Sequence, residues 1–104
     1  MRDPKRGEVW LADLGIAAKV RPVLIISAPF SDQDYALLGV IPHTTTPRDA
    51  HFELRSDVPW LQPGAFNIQG MMAVPHAKFI RKLGSLSTQQ MKEVEAVLRR
   101  WLVL

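Results

Sequence analysis

The chain has 104 residues, 47% of them hydrophobic, and carries a formal net charge of +3. That is enough for one domain with a modest core, spanning residues 1–104, and too apolar for a disordered tail. There is no cysteine, no apolar run of ~18 residues and no apolar segment behind Met1-Arg2-Asp3-Pro4-Lys5-Arg6, so the reading excludes a disulfide framework, a thiolate zinc site, a membrane span and a secretory leader, and expects a cytoplasmic protein.

The positive excess permits a nucleic-acid partner without requiring one. Glu8 to Leu14, bracketed by Gly7 and Gly15, reads as the first strand. Gly15 to Lys19 is a short connection whose small residues leave it free to move. Val20-Arg21-Pro22-Val23-Leu24-Ile25-Ile26-Ser27 then sets one charge at the head of a β-branched apolar run, which predicts a strand buried on both faces. Pro22 holds Arg21 extended and removes one ladder donor, so the strand begins there. A charge fixed at a strand end is a common receptor for an anionic ligand; taken alone, it is more simply a solvated strand tip.

Pro29 to Asp34 reads as a polar turn and Tyr35 to Ile41 as a third strand, ending at Pro42. His43-Thr44-Thr45-Thr46-Pro47-Arg48-Asp49 is a loop rich in hydroxyls. His51 to Arg55 alternates, with Phe52 and Leu54 inward and His51, Glu53 and Arg55 outward, as in a half-exposed strand. Asp57 to Gly64 is a long turn around Trp60. Phe66 to Val74 is a further strand stopped by Pro75, and Lys78 to Leu83 a last short one ended by Gly84. Ser87 and Gln90 then fit a capping box, Met91, Val94, Leu98 and Trp101 recur at helical spacing, and Arg99 and Arg100 suit the negative end of a helix dipole. Five or six short strands and one terminal helix predict a mainly β fold: a small, strongly bent antiparallel barrel with the helix packed on it.

Binding a phosphate needs a fixed positive charge and hydrogen-bond donors. Arg21 supplies the first as a bidentate fork, and the hydroxyls of Thr44, Thr45 and Thr46 can supply the second. Arg21-Pro22 opens one buried strand and Pro42-His43-Thr44 closes another, so antiparallel neighbours would bring both groups to one rim. By themselves the three threonines are also an ordinary β-prone strand end.

Arg6-Gly7-Glu8-Val9-Trp10, Arg21-Pro22-Val23-Leu24-Ile25, Val40-Ile41-Pro42-His43-Thr44-Thr45 and Lys82-Leu83-Gly84-Ser85-Leu86-Ser87, in that order and spacing, resemble the MazF/PemK family of toxins over nearly the whole chain. The resemblance implies an SH3-like barrel with a C-terminal helix. It implies a sequence-selective endoribonuclease that cuts single-stranded RNA with no metal or other cofactor, through the RNA's own 2′-hydroxyl. It also implies a homodimer, with Trp60 and Leu104 among its surplus apolar residues, and a cognate antitoxin. That partner is expected to be acidic and to cover Gly15 to Lys19. Carried over residue by residue, the resemblance makes Arg21 and Thr44 catalytic, and RNA contacts are expected from Lys19, His43, Thr45 and Gln69. Gln69 stands where many members have an acid, Met72 where they have a cation, and the Gly15–Lys19 connection lacks the glutamate some members carry. Neighbouring strand residues face opposite ways, so His43 is read as structural or RNA-contacting rather than as the base. The alternatives are a non-catalytic toxin of the same fold that poisons DNA gyrase, which would not need Arg21 and Thr44, and an inactive RNA-binding domain.

Overall fold

A computed structural model describes residues 3–15, 17 and 19–104. Seven antiparallel strands, β1 (Glu8–Asp13), β2 (Val20–Ile25), β3 (Leu37–Thr44), β4 (Glu53–Ser56), β5 (Gly64–Asn67), β6 (Met72–Pro75) and β7 (Phe79–Ser85), precede one helix, α1 (Thr88–Leu102). The strand order is β4-β5-β3-β2-β1-β7, and β6 joins the same edge of β3 that carries β5. Among the described residues no pairing closes β7 onto β4 or β6, so the sheet is bent and barrel-like but open.

The bend creates two cores. On one face Val9, Leu24, Ile41, Phe66 and Ile68 meet Met91, Val94 and Val97 of the helix. On the other, Trp10, Ala12, Val23, Ile25, Leu38 and Val40 meet Val74 of β6 and Phe79 of β7. Strands between two cores need apolar residues at every position, and Val23, Leu24 and Ile25 are all fully buried, as the run in the sequence predicts. The helix is capped as its sequence requires: Ser87 Oγ accepts from the Gln90 amide, and the Gln90 side chain accepts from the Ser87 amide. Leu98 and Trp101 pack against the helix-side core with Val97, which the predicted stripe omits. Glu8 is buried beneath β7 and fully engaged: Oε1 accepts from the Trp10 indole and the Lys5 amide, and Oε2 lies 3.0 Å from Lys82 Nζ. Burial pushes its carboxyl up, but these donors together outweigh it and hold Glu8 below the usual carboxylate range.

Several predicted boundaries are corrected. Strand β3 does not stop at Pro42; it runs on to Thr44. The Ile26 amide donates to the Gly39 carbonyl at 2.9 Å, and strand alternation from that pair turns the Pro42 nitrogen away from β2. It faces the opposite edge, between His43, which pairs with Phe66 of β5, and Val40, which pairs with Met72 of β6. There the predicted Phe66–Val74 strand is itself broken by a three-residue 3₁₀ turn, Ile68–Gly70. The missing donor of Pro42 therefore falls where the ladder has no partner strand. The last strand passes through Gly84 to Ser85 because that glycine is a packing position: a Cβ there would come within 2.5 Å of the Trp60 ring. Trp60 is accordingly half-buried against the helix-side core, whereas Leu104 is exposed. No helix among the described residues is long and apolar enough to cross a membrane.

Candidate active-site groove

The pairing of β2 with β3 sets Val23 against Pro42. Arg21, near the start of β2, and Thr44, at the end of β3, each lie two positions beyond that pair, and both line one hollow at the rim of the open sheet. The rim is hollowed into a groove of ≈ 470 Å³ whose walls include Arg21, Thr44, Thr46, Arg48, Asn67 and Gln69. A shallower depression of ≈ 230 Å³ adjoins it on the other side of Arg21, with Lys19 and Thr45 in its wall. The predicted residues thus fall into two groups that share Arg21: Thr44 and Gln69 in the groove, Lys19 and Thr45 in the depression.

Thr44 is held by its neighbours. Its Oγ1 accepts the Thr46 amide at 3.1 Å and lies 3.2 Å from Thr46 Oγ1. The two hydroxyls are thus within hydrogen-bond distance of each other, and either can donate to the other. Its backbone is held just as closely. Thr44 pairs with Ala65, and the preceding Gly64 lies so near that a Cβ would sit 2.0 Å from the Thr44 carbonyl oxygen and 2.8 Å from His43 Cε1. Gly64 reads in the sequence as the end of a turn; in the structure it is the position that lets β5 close on the end of β3.

His43 borders both hollows but is only 2% exposed. Its ring turns to the helix-side core, edge-on to Phe66, and Nε2 lies 2.9 Å from Ser56 Oγ. Burial lowers its pKa from the ordinary 6.5, favouring the neutral ring. His43 is thus a packed, hydrogen-bonded residue at the border of both hollows, in keeping with the structural side of its reading. His51 is exposed, and His76 lies 2.9 Å from Asp3. Of the Gly15–Lys19 connection, Ile16 and Ala18 lie outside the described residues, as do Met1 and Arg2. Its described ends are tied together: the Lys19 amide donates to the Gly15 carbonyl and the Leu14 amide to the Lys19 carbonyl.

Nothing in the sequence marks Asn67 for this groove, and the alternation from His51 to Arg55 predicts a solvent-facing Glu53. The 3₁₀ turn follows Asn67 directly and carries Gln69, so two amide side chains and Met72 share one wall. Glu53 is half-buried, and its Oε1 accepts the amides of Arg48 and Ala50, each at 3.0 Å. Its place five residues beyond Arg48 and three beyond Ala50, after a proline, was the one available signal.

Two cations, two hydroxyls and two amides in a concave rim can bind an anionic strand through its phosphates and present donors and acceptors to its bases. A family model described as PemK-like, MazF-like toxin of type II toxin–antitoxin system matches residues 5–102. Among solved structures the chain is similar to the Mycobacterium tuberculosis toxin MazF-mt6, with 26% identity and a TM-score of 0.80 over 93% of this chain and 97% of that one. It is also similar to an endoribonuclease in complex with its cognate antitoxin from a mycobacterial species, with 24% identity and a TM-score of 0.82 over 97% of this chain and 96% of that one. MazF from Deinococcus radiodurans gives 19% identity and a TM-score of 0.82 over 100% of both chains. The last two likenesses speak to the fold alone.

Proposed function

The chain belongs to the PemK-like, MazF-like toxins of type II toxin–antitoxin systems, and we propose that it is a metal-independent endoribonuclease acting on single-stranded RNA at the Arg21–Thr44 rim. The observation that supports this reading is the meeting of Arg21 and Thr44 in the wall of one groove, with Thr44 Oγ1 accepting the Thr46 amide. The 2′-oxygen of the RNA attacks the adjacent phosphorus and gives up its proton. The bond to the 5′-oxygen breaks as that oxygen takes up a proton. The products are a 2′,3′-cyclic phosphate and a 5′-hydroxyl. Negative charge grows on the non-bridging oxygens during attack, and the permanently charged fork of Arg21 stabilises it. Thr44 donates a hydrogen bond to the same group. Asn67 and Gln69 offer both donors and acceptors to base edges, which supports selectivity for sequence.

Two partners complete the reading. A cognate antitoxin that covers the rim would silence the enzyme, and the net charge of +3 favours an acidic one. A homodimer would cover exposed apolar side chains such as Tyr35, Leu37 and Ile80. The test is incubation of the purified protein with a long single-stranded RNA in EDTA, beside the Arg21→Ala variant prepared identically. Discrete fragments with cyclic-phosphate and 5′-hydroxyl ends, absent with the variant, are expected. RNA left whole by the wild type overturns the proposal.

A further inference from the structure

Of the segment between β3 and β4, Phe52 packs against the helix-side core, but Thr45, Thr46, Arg48, Asp49 and Ala50 are exposed, so apolar burial contributes little to the shape of that part. Polar bonds hold it, and they converge on one side chain. Asp49 stands in the left-handed region at φ 56°, which turns the amides of Arg48 and Ala50 toward a common point. Glu53 Oε1 occupies that point, 3.0 Å from each nitrogen. The Glu53 amide returns a bond to the Ala50 carbonyl at 3.2 Å, and Arg55 pairs with Asp49. Arg48 and Glu53 both line the groove that contains Arg21 and Thr44, and among the described residues Arg48 makes no ion pair.

A carboxylate in a groove for a polyanion is at first sight misplaced. Its engagement by two amides offsets its charge and gives it a use. We infer that Glu53 is a positioning residue: it fixes the loop so that Arg48 stands in the groove wall as a second cation and receives a phosphate next to the one on which Arg21 acts. This rests on the ribonuclease reading for the identity of the strand. Without Glu53 the loop would have to be ordered when RNA binds, and the affinity gained through Arg48 would fall.

The experiment is binding of a fluorescent 2′-O-methyl RNA, which lacks the attacking hydroxyl and cannot be cut. Wild type, Arg48→Ala, Glu53→Ala, Glu53→Gln and the double alanine variant are compared over a range of salt, with melting temperatures alongside. Arg48→Ala is expected to bind about tenfold more weakly, as for one charged hydrogen bond. Its plot of log affinity against log salt should be shallower by about 0.7, the share of one phosphate in a single strand. Glu53→Ala should lose nearly as much and show the same shallower slope. Glu53→Gln should recover most of the affinity, because its amide oxygen can still accept both N–H groups. The double variant should bind no more weakly than Arg48→Ala. Glu53→Ala binding like wild type, or losses that add in full, overturn the inference. A wild type that binds the methylated strand but leaves ordinary RNA whole overturns the ribonuclease reading instead, and the cycle still decides the role of Glu53.

Discussion

On the helix side of the sheet, Val9, Leu24, Ile41, Phe66 and Ile68 meet Met91, Val94 and Val97, and each is placed by the surface it removes from water. At the rim of the groove, Thr44, Thr46, Arg48 and Glu53 are placed by single directed hydrogen bonds among partly exposed residues. Burial is spread over many side chains and tolerates no large deletion. Directed bonds are few, contribute about 1 kcal/mol each, and position groups that must stay in contact with solvent and ligand. The two regions should therefore fail differently, one by unfolding and the other by losing chemistry while staying folded.

Deleting the largest fully buried side chain tests the first half of that contrast. Phe66→Ala removes a ring that packs in the helix-side core and meets His43 edge-on. It is expected to cost about 3–5 kcal/mol, read by urea denaturation at neutral pH. A variant with an unchanged midpoint would show that burial on the helix side is not what holds the sheet.

The second half is tested at the rim. Arg21→Ala is expected to lower the cleavage rate by about 10²-fold or more, as when one preorganised oxyanion donor is removed, while melting with the wild type. Arg21→Lys should restore little, since an ammonium keeps the charge but not the planar fork. Thr44→Ala should cost less, because it removes one neutral hydrogen bond, and part of its effect should come through Thr46, whose amide loses its acceptor. Single-turnover rates beside melting curves separate these outcomes. An Arg21→Ala protein that unfolds would make Arg21 structural, and one that cuts at the wild-type rate would remove it from the reaction.

The same contrast governs what the sequence showed in advance. The helix-side core was legible because burial leaves a periodic trace: the capping box at Ser87 and the recurrence from Met91 to Trp101 both mark α1. The run at Val23 to Ile25 likewise announces a strand between two layers. Of the groove, the sequence pointed to Arg21 and Thr44, each close to a proline, and to Gln69 through the resemblance. The rest depends on partners distant in sequence. Pro42 could lie within a strand only because its nitrogen faces the break between β5 and β6. That break occurs because Ile68 is drawn into the helix-side core and its amide bonds the Phe52 carbonyl, which no local pattern signals. Glu53 alternates outward as a surface residue would, and only the fold places two amides against it.

His43 lies where the two regions join, and its titration sharpens the comparison with a smaller effect. Its ring packs on Phe66 in the helix-side core, while its backbone leads directly into Thr44. Burial holds its pKa below the ordinary 6.5, so between the two values the unfolded chain binds more protons than the folded one. Stability then rises with pH over that interval. The contribution of the neutral ring is complete above about pH 6.5 and is lost as the pH falls from there through the folded value. Melting temperature should therefore decline on acidification, and the decline should be weaker in His43→Gln, which keeps a polar side chain for Ser56 but does not titrate. Exposed His51, and His76 beside Asp3, are common to both proteins, so the difference between the two curves isolates His43. Amide exchange adds the spatial test. If protonation strains the junction first, the amides of β3 and β5 from His43 to Phe66 should exchange faster at mildly acid pH before those of α1 do. Parallel curves for wild type and His43→Gln would show that the buried ring does not couple the groove to the core.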